Sequence, residues 1–129
     1  MIWLWGQGKK PTMPLFYKKF GVNGSVISAV DLIKGIAKCI GLSSIDVPGA
    51  TGYYDTDYAA KTRYGIESLA HNDFLFLHIE APDEAGHNGD LQAKITAIEN
   101  IDSKVVGPMV HALKSMGEFR LLILPDHFT

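Results

Sequence analysis

The sequence predicts an α/β fold, a mostly parallel sheet with helices on both faces. Short apolar runs rich in β-branched and aromatic residues alternate with longer segments in which apolar residues recur at helical spacing. Strands joined through helices run parallel, because a parallel pair needs a crossover connection. The chain has 129 residues, of which 47% are hydrophobic. That is enough to bury one core, so we expect residues 1–129 to form a single domain.

Each predicted strand is short, apolar and bounded by turn-forming residues. The predicted strands cover residues 1–5, 24–30, 45–47, 73–80 and 119–124. His78 lies within the fourth of these strands, so we expect it to be packed in the core. The carboxyl ends of parallel strands share one edge of the sheet, which is where ligands bind in such folds.

The predicted helices are separated from the strands by glycine or by capping residues. They cover residues 13–20, 32–40, 58–71 and 90–116. Asp31 and Asp57 are expected to be the N-caps of the second and third helices. Pro108 cannot donate a backbone hydrogen bond, so it should kink or split the last helix. Lys61 and Arg63 on the third helix are expected to be solvated.

Composition excludes several classes of protein. A formal net charge of −2 gives no general attraction to nucleic acid or to a membrane surface. The apolar opening of five residues is too short for a signal segment or a spanning helix. Cys39 is the single cysteine, which rules out an intrachain disulfide and favours a reducing, cytoplasmic location.

Acidic residues and histidines follow two of the predicted strands. Asp83 and His87 come after the fourth strand, and Asp126 and His127 come after the fifth. Carboxylate and imidazole together suit divalent ions such as zinc or manganese. Each residue also has an ordinary explanation, since such an aspartate is often a cap and a lone histidine is often structural. Gly86 should allow the backbone to curl and bring His87 beside Asp83.

The pattern Asp-x-x-Gly-His-x-Gly at residues 83–89, followed by Asp-His at 126–127, resembles a known family. It is similar to the metal-binding half of the cofactor-independent phosphoglycerate mutases of the archaeal-type branch, within the alkaline phosphatase superfamily. Supporting similarity extends over residues 2–11, 27–37 and 47–57. The resemblance implies a partial alkaline-phosphatase-like core.

The resemblance also implies two divalent metal ions, usually manganese, with zinc or magnesium as alternatives. Asp83 and His87 match two ligands of one ion, and Asp126 and His127 match two ligands of the other. Lys34 matches the region where a lysine faces the substrate, although a solvated helix lysine explains it equally well. The family's reaction, interconversion of 2- and 3-phosphoglycerate, proceeds through a phosphoserine. No serine here matches that nucleophile, so we expect a piece of a larger enzyme that is inactive by itself.

Two other functions remain open at the level of sequence. A metal-dependent phosphatase or phosphopentomutase-like enzyme of the same superfamily would share these ligands. A non-catalytic binding or interaction module would share only the fold. For the piece of a larger enzyme, we expect phosphoglycerate as the small-molecule substrate and no nucleic acid or membrane partner. A sheet edge left uncovered would favour dimerisation through strand pairing.

Overall fold

The computed structural model of the protein describes residues 9–127, and within them the strands form a parallel sheet. The strands are β1 (Gly24–Ile27), β2 (Ser43–Ser44) and β3 (Phe74–Leu77). Their order across the sheet is β2-β1-β3, with β1 in the centre. The parallel α/β architecture predicted from the sequence is therefore confirmed.

Helices connect the strands and continue beyond the last one. They are α1 (Phe16–Phe20), α2 (Asp31–Cys39), α3 (Tyr58–Leu69), α4 (Ala81–His87), α5 (Leu91–Ile101) and α6 (Gly107–Met116). A π-helical segment, Asp102–Val106, joins α5 to α6. Within residues 9–127, no helix has both the length and the apolar composition needed to cross a bilayer.

The central strand packs against a different layer of helix on each face. Val26 belongs to a cluster with Ala37 of α2, whereas its neighbour Ile27 packs with Ala60 of α3. This alternation follows from the strand period of two. On the α3 face, the hydroxyl groups of Ser25 and Ser68 form a hydrogen bond inside the core, with their oxygens 2.6 Å apart. Helices therefore cover both faces, as predicted.

The break in the last helix has a specific compensation. Pro108 has no N–H, so the carbonyl of Lys104 loses the helical partner that residue 108 would otherwise supply. The Thr62 hydroxyl of α3 lies 2.9 Å from that carbonyl and can donate to it, although it stands equally close to the Tyr58 carbonyl. The Gly107 N–H meanwhile bonds to the Asp102 carbonyl, one residue further back than in an α-helix. The predicted split near Pro108 is confirmed, and it takes the form of a π-helical turn.

Two predicted secondary-structure details are wrong. Asp31 is the first residue of α2 rather than its cap, and Val30 occupies the cap position without a side-chain hydrogen bond. The third strand is Ser43–Ser44 instead of residues 45–47; the pairing with β1 ends at the Ile45 N–H, which bonds to the Val26 carbonyl at 2.9 Å, while Ile45 and Val47 pack in the core. Asp57 does cap α3, accepting from the Ala60 N–H at 2.8 Å. The strand predicted at residues 1–5 lies outside the described residues.

The predicted fifth strand is also wrong for the described part of the chain. Residues 118–125 have no regular secondary structure and pair with none of the strands in residues 9–127. Leu122 leaves 82% of its surface exposed, so the segment is not buried either. A run of apolar residues favours an extended segment with exposed apolar side chains. The segment becomes a strand only where its backbone N–H and C=O groups hydrogen-bond to a neighbouring strand.

Candidate metal centre

Asp83 and His87 lie on α4, the short helix that follows β3. Pro82 in its first turn favours the start of a helix, and the acidic residues there complement the helix dipole. Residues four apart lie on the same helical face, and His87 Nε2 is 3.4 Å from Asp83 Oδ2. The predicted proximity of His87 to Asp83 is present, but Gly86 is not its cause. The helix brings the pair together, and Gly86 does not adopt a positive φ.

The second predicted pair comes to the same place. His127 Nε2 lies 3.2 Å from Asp83 Oδ1 and 3.7 Å from Asp126 Oδ1. The four side chains thus form one continuous set of contacts, in which Asp83 stands between two histidines. The set lies beyond the carboxyl end of β3, the edge at which parallel sheets bind ligands.

One oxygen of the Asp83 carboxylate has no hydrogen-bond donor within the described residues. This oxygen, Oδ1, is buried and makes no hydrogen bond within residues 9–127, although His127 Nε2 lies 3.2 Å away. A buried acceptor without a hydrogen bond is unfavourable unless a ligand or ion occupies it. Two carboxylates and two imidazoles are a donor set that zinc and manganese accept. The chemistry of these residues therefore fits a divalent ion.

The arrangement is not a complete coordination sphere. Among residues 9–127, no three histidine, cysteine, aspartate or glutamate side chains are arranged to hold one ion. The four residues contact one another at ion-pair distances. Their assignment as metal ligands stays a prediction.

Sequence reasoning missed Lys61, which it expected to be solvated. Its side chain is completely buried, and its ammonium donates to the His78 carbonyl at 3.2 Å. Helical spacing was the signal that could have found it, since residue 61 shares a face with the buried Tyr58, Gly65 and Ser68. Arg63, on another face of α3, is exposed as expected.

Burial is the main cause of the pKa shifts of Lys61 and of the ionisable groups near it. Burial lowers the pKa of Lys61 below its usual 10.5, while the charge of Glu80 opposes the shift. Burial also lowers the pKa of His78, and the nearby Lys61 charge adds to that effect. The pKa of Glu80 is raised by burial and then by its neighbour Glu84. Burial and the Lys61 charge therefore favour a neutral imidazole at His78. The Nδ1 atom of this imidazole lies 3.2 Å from the Ser28 hydroxyl.

Lys34, the predicted substrate contact, lies on α2 and forms an ion pair outside this cluster. Its Nζ donates to Asp46 Oδ1 at 2.9 Å. That hydrogen bond, together with the lysine charge, lowers the pKa of Asp46. Asp46 is largely exposed, so solvent screens the pair and a competing anion can displace it.

The loop at residues 49–57 secures the far end of α4. The Tyr54 hydroxyl lies 3.3 Å from the Glu84 carbonyl and accepts from Asn88 Nδ2 at 2.9 Å. The ring of Tyr53 stacks on that of Tyr54. These contacts tie the loop to the helix that carries Asp83.

The described residues form an α/β domain with an Asp/His cluster beyond the carboxyl end of β3. The family described as Metalloenzyme superfamily matches residues 1–129, and the chain belongs to it. Membership in that family implies dependence on divalent metal.

Curated relatives share extensive sequence with this chain. It is 58% identical over 130 residues to the 2,3-bisphosphoglycerate-independent phosphoglycerate mutase of Methanothrix thermoacetophila, covering 100% of this chain and 33% of the relative. It is 53% identical to the probable enzyme of that name from Geobacter sulfurreducens, covering 99% of this chain and 32% of the relative. The resemblance to these mutases is therefore confirmed, and the chain spans about a third of their length.

A solved structure of a Pyrococcus horikoshii protein shares the fold. The two superpose with a TM-score of 0.72 at 33% sequence identity, over 83% of this chain and 32% of that protein. The parallel sheet and its helices therefore recur in a protein of experimentally known structure.

Proposed function

We propose that this chain supplies metal ligands to a cofactor-independent phosphoglycerate mutase that interconverts 2- and 3-phosphoglycerate. The observation that carries the proposal is the position of Asp83, whose carboxylate contacts both His87 and His127. The names of the relatives supply the reaction. In this proposal residues 1–129 form one domain, part of the metal-binding core of a larger, cytoplasmic, glycolytic enzyme.

The ligand assignment divides the cluster into two pairs. Asp83 and His87 would hold one ion and Asp126 and His127 the other, with manganese proposed first and zinc or magnesium as alternatives. Divalent ions bound there would neutralise charge on a transferring phosphoryl group. The chain's own residues hold the ligands in place: α4 fixes the first pair, and the Tyr54 and Asn88 contacts fix α4.

Substrate binding is assigned to Lys34. Phosphoglycerate carries a phosphate and a carboxylate, and an ammonium group donates to either. Lys34 already binds one carboxylate, that of Asp46, in an exposed pair that a substrate anion could replace. We propose no nucleic acid or membrane partner.

A chimeric enzyme tests the function. In the Methanothrix thermoacetophila relative, the 130-residue segment that matches this chain is replaced by it. We expect the folded chimera to convert 3- to 2-phosphoglycerate, to lose activity with a chelator and to regain it with Mn²⁺. A folded chimera that releases phosphate instead would support the phosphatase alternative. A folded chimera with neither activity would contradict the enzyme proposal and favour an interaction module.

We also propose that the isolated 129-residue chain self-associates through β3. Within the described residues, β3 has one neighbouring strand, β1, so its other edge has no partner there. Phe76 on this strand leaves 43% of its surface exposed. An apolar edge strand of this kind favours pairing with a second copy of the chain.

A further inference from the structure

Lys61 is a buried cation to which the proposed function gives no role. Its side chain has no exposed surface, and the His78 carbonyl is the acceptor that the described residues provide for its ammonium. An ammonium group has three N–H donors. No carboxylate in residues 9–127 lies within ion-pair distance of it, and the Glu80 charge that acts on it from further away offsets its burial only in part, since the pKa of Lys61 is still lowered.

Stability alone does not account for a lysine at this position. Burying an ammonium group without a paired carboxylate is unfavourable, and an apolar side chain of similar length would fill the same volume. The neighbouring positions on this face of α3 are Tyr58, Gly65 and Ser68, none of which carries a charge at neutral pH. The lysine is therefore the exception on an otherwise uncharged face.

The location of its hydrogen bond indicates what the lysine does. β3 ends at Leu77 and α4 begins at Ala81, so His78 opens the short connection between them. The His78 N–H bonds to the Ile27 carbonyl of β1, and its carbonyl accepts from Lys61. His78 is thus fixed from both sides, by the sheet and by α3.

The same connection sets where α4 begins. Glu80 ends it, and the Glu80 carbonyl accepts from the N–H groups of Asp83 and Glu84 at 2.8 and 3.0 Å. A shift of the connection therefore moves the first turn of α4. Asp83 lies in that turn, where its carboxylate contacts His127.

We propose that Lys61 is a positioning residue: its ammonium anchors the connection between β3 and α4 and thereby sets the place of Asp83 relative to His127. The part that concerns metal affinity rests on the proposed function. The part that concerns the local order of α4 does not.

The test compares Lys61→Met and Lys61→Gln with Arg63→Met in the full 129-residue chain. Arg63 is an exposed cation on the same helix, so its substitution removes a charge without reaching His78. Amide hydrogen exchange is measured across the chain, and Mn²⁺ affinity is measured by calorimetry.

Lys61→Met is expected to raise exchange rates in α4 about ten-fold or more while leaving those of α6 within about two-fold. We also expect its Mn²⁺ affinity to fall by roughly ten-fold, as for other groups that orient metal ligands. Arg63→Met should change neither.

Three results would overturn the inference: unchanged exchange in α4, exchange raised equally throughout the chain, or loss of folding in both Lys61 variants. The last two mean that Lys61 only supports the fold. Unchanged Mn²⁺ affinity in Lys61→Met, with the unsubstituted chain binding the ion, overturns the metal part. If the isolated chain binds no Mn²⁺, affinity is compared in the chimeric enzyme instead; a folded chimera that binds no Mn²⁺ would contradict the proposed function, and the exchange data decide the role of Lys61 in either case.

Discussion

His127 lies 3.2 Å from Asp83, although the whole helical segment from α5 to α6 separates them in the chain. Asp83 comes from the first turn after β3, and His127 comes from the end of the described residues. The chain therefore returns to the carboxyl end of β3 after leaving it. This return is the structural basis for placing two potential ligand pairs in one site.

Substituting Asp83 should have the largest effect of any single change in the cluster, because its carboxylate contacts both histidines. We expect Asp83→Asn to lower Mn²⁺ affinity by about 100-fold or more, above the 10–100-fold seen for groups that only orient ligands. Calorimetric titration of the 129-residue chain with MnCl2 measures this. The matched control is Asp102→Asn, an exposed acidic residue on the π-helical segment. Equal affinities for the two variants would remove Asp83 from the ligand set.

Substituting Lys34 should affect substrate binding rather than folding. A lost charged hydrogen bond of about 1.5–3 kcal/mol corresponds to roughly a ten- to hundred-fold rise in KM for 3-phosphoglycerate. Steady-state kinetics of Lys34→Met in the chimeric mutase tests this. Lys38→Met, an exposed lysine on the same helix, is the control. An unchanged KM would reduce Lys34 to a surface ion-pair residue.

Local sequence signals predicted the parts of the fold that depend on local physics. Strand composition and helical spacing placed β1, β3 and α3, and Asp57 was identified as a cap from its position before the helix. Pro108 predicted a break because a missing N–H disrupts any helix. The compensation by Thr62 could not be predicted, since it depends on how α3 packs against the π-helical segment.

Non-local relationships were the ones that sequence reasoning missed. Residues 119–124 have the composition of a strand, but pairing needs a neighbour that composition does not identify. Lys61 was expected in solvent because charged residues are rarely buried, and only its helical register with Tyr58 and Gly65 indicated otherwise. The two Asp/His pairs were expected at one edge because parallel strands end there, yet the strand expected to carry His127 to that edge is absent from residues 9–127, so the 3.2 Å approach of His127 to Asp83 does not follow from that reason.

The buried Lys61 should make stability rise with pH in the alkaline range. Its pKa in the folded protein is lowered from 10.5, so above the lowered pKa the unfolded chain binds more protons than the folded one. Stability therefore increases as pH rises from the lowered pKa to the ordinary value. Urea unfolding of the protein and of Lys61→Met at several pH values up to about 10.5 tests this. The free energy of unfolding of Lys61→Met is subtracted from that of the protein at each pH. This difference cancels the contributions of other groups with an opposing pH dependence, such as Tyr58, whose pKa is raised by burial. A difference that stays constant with pH would contradict the prediction.

The edge of β3 that has no partner strand among the described residues should make the isolated 129-residue chain associate as its concentration rises. Strand pairing across that edge places apolar side chains of two copies in contact, and Phe76 is the exposed aromatic residue on the strand. We expect Phe76→Lys to shift the chain to monomer, because a charge on an edge strand opposes pairing. Light scattering coupled to size exclusion, over about a hundred-fold range of concentration, measures the masses. Tyr17→Lys, an exposed aromatic residue on α1, controls for the general effect of an added charge. A chain that stays monomeric over the whole concentration range would contradict the prediction. A dimer that persists in Phe76→Lys would place the association elsewhere on the surface.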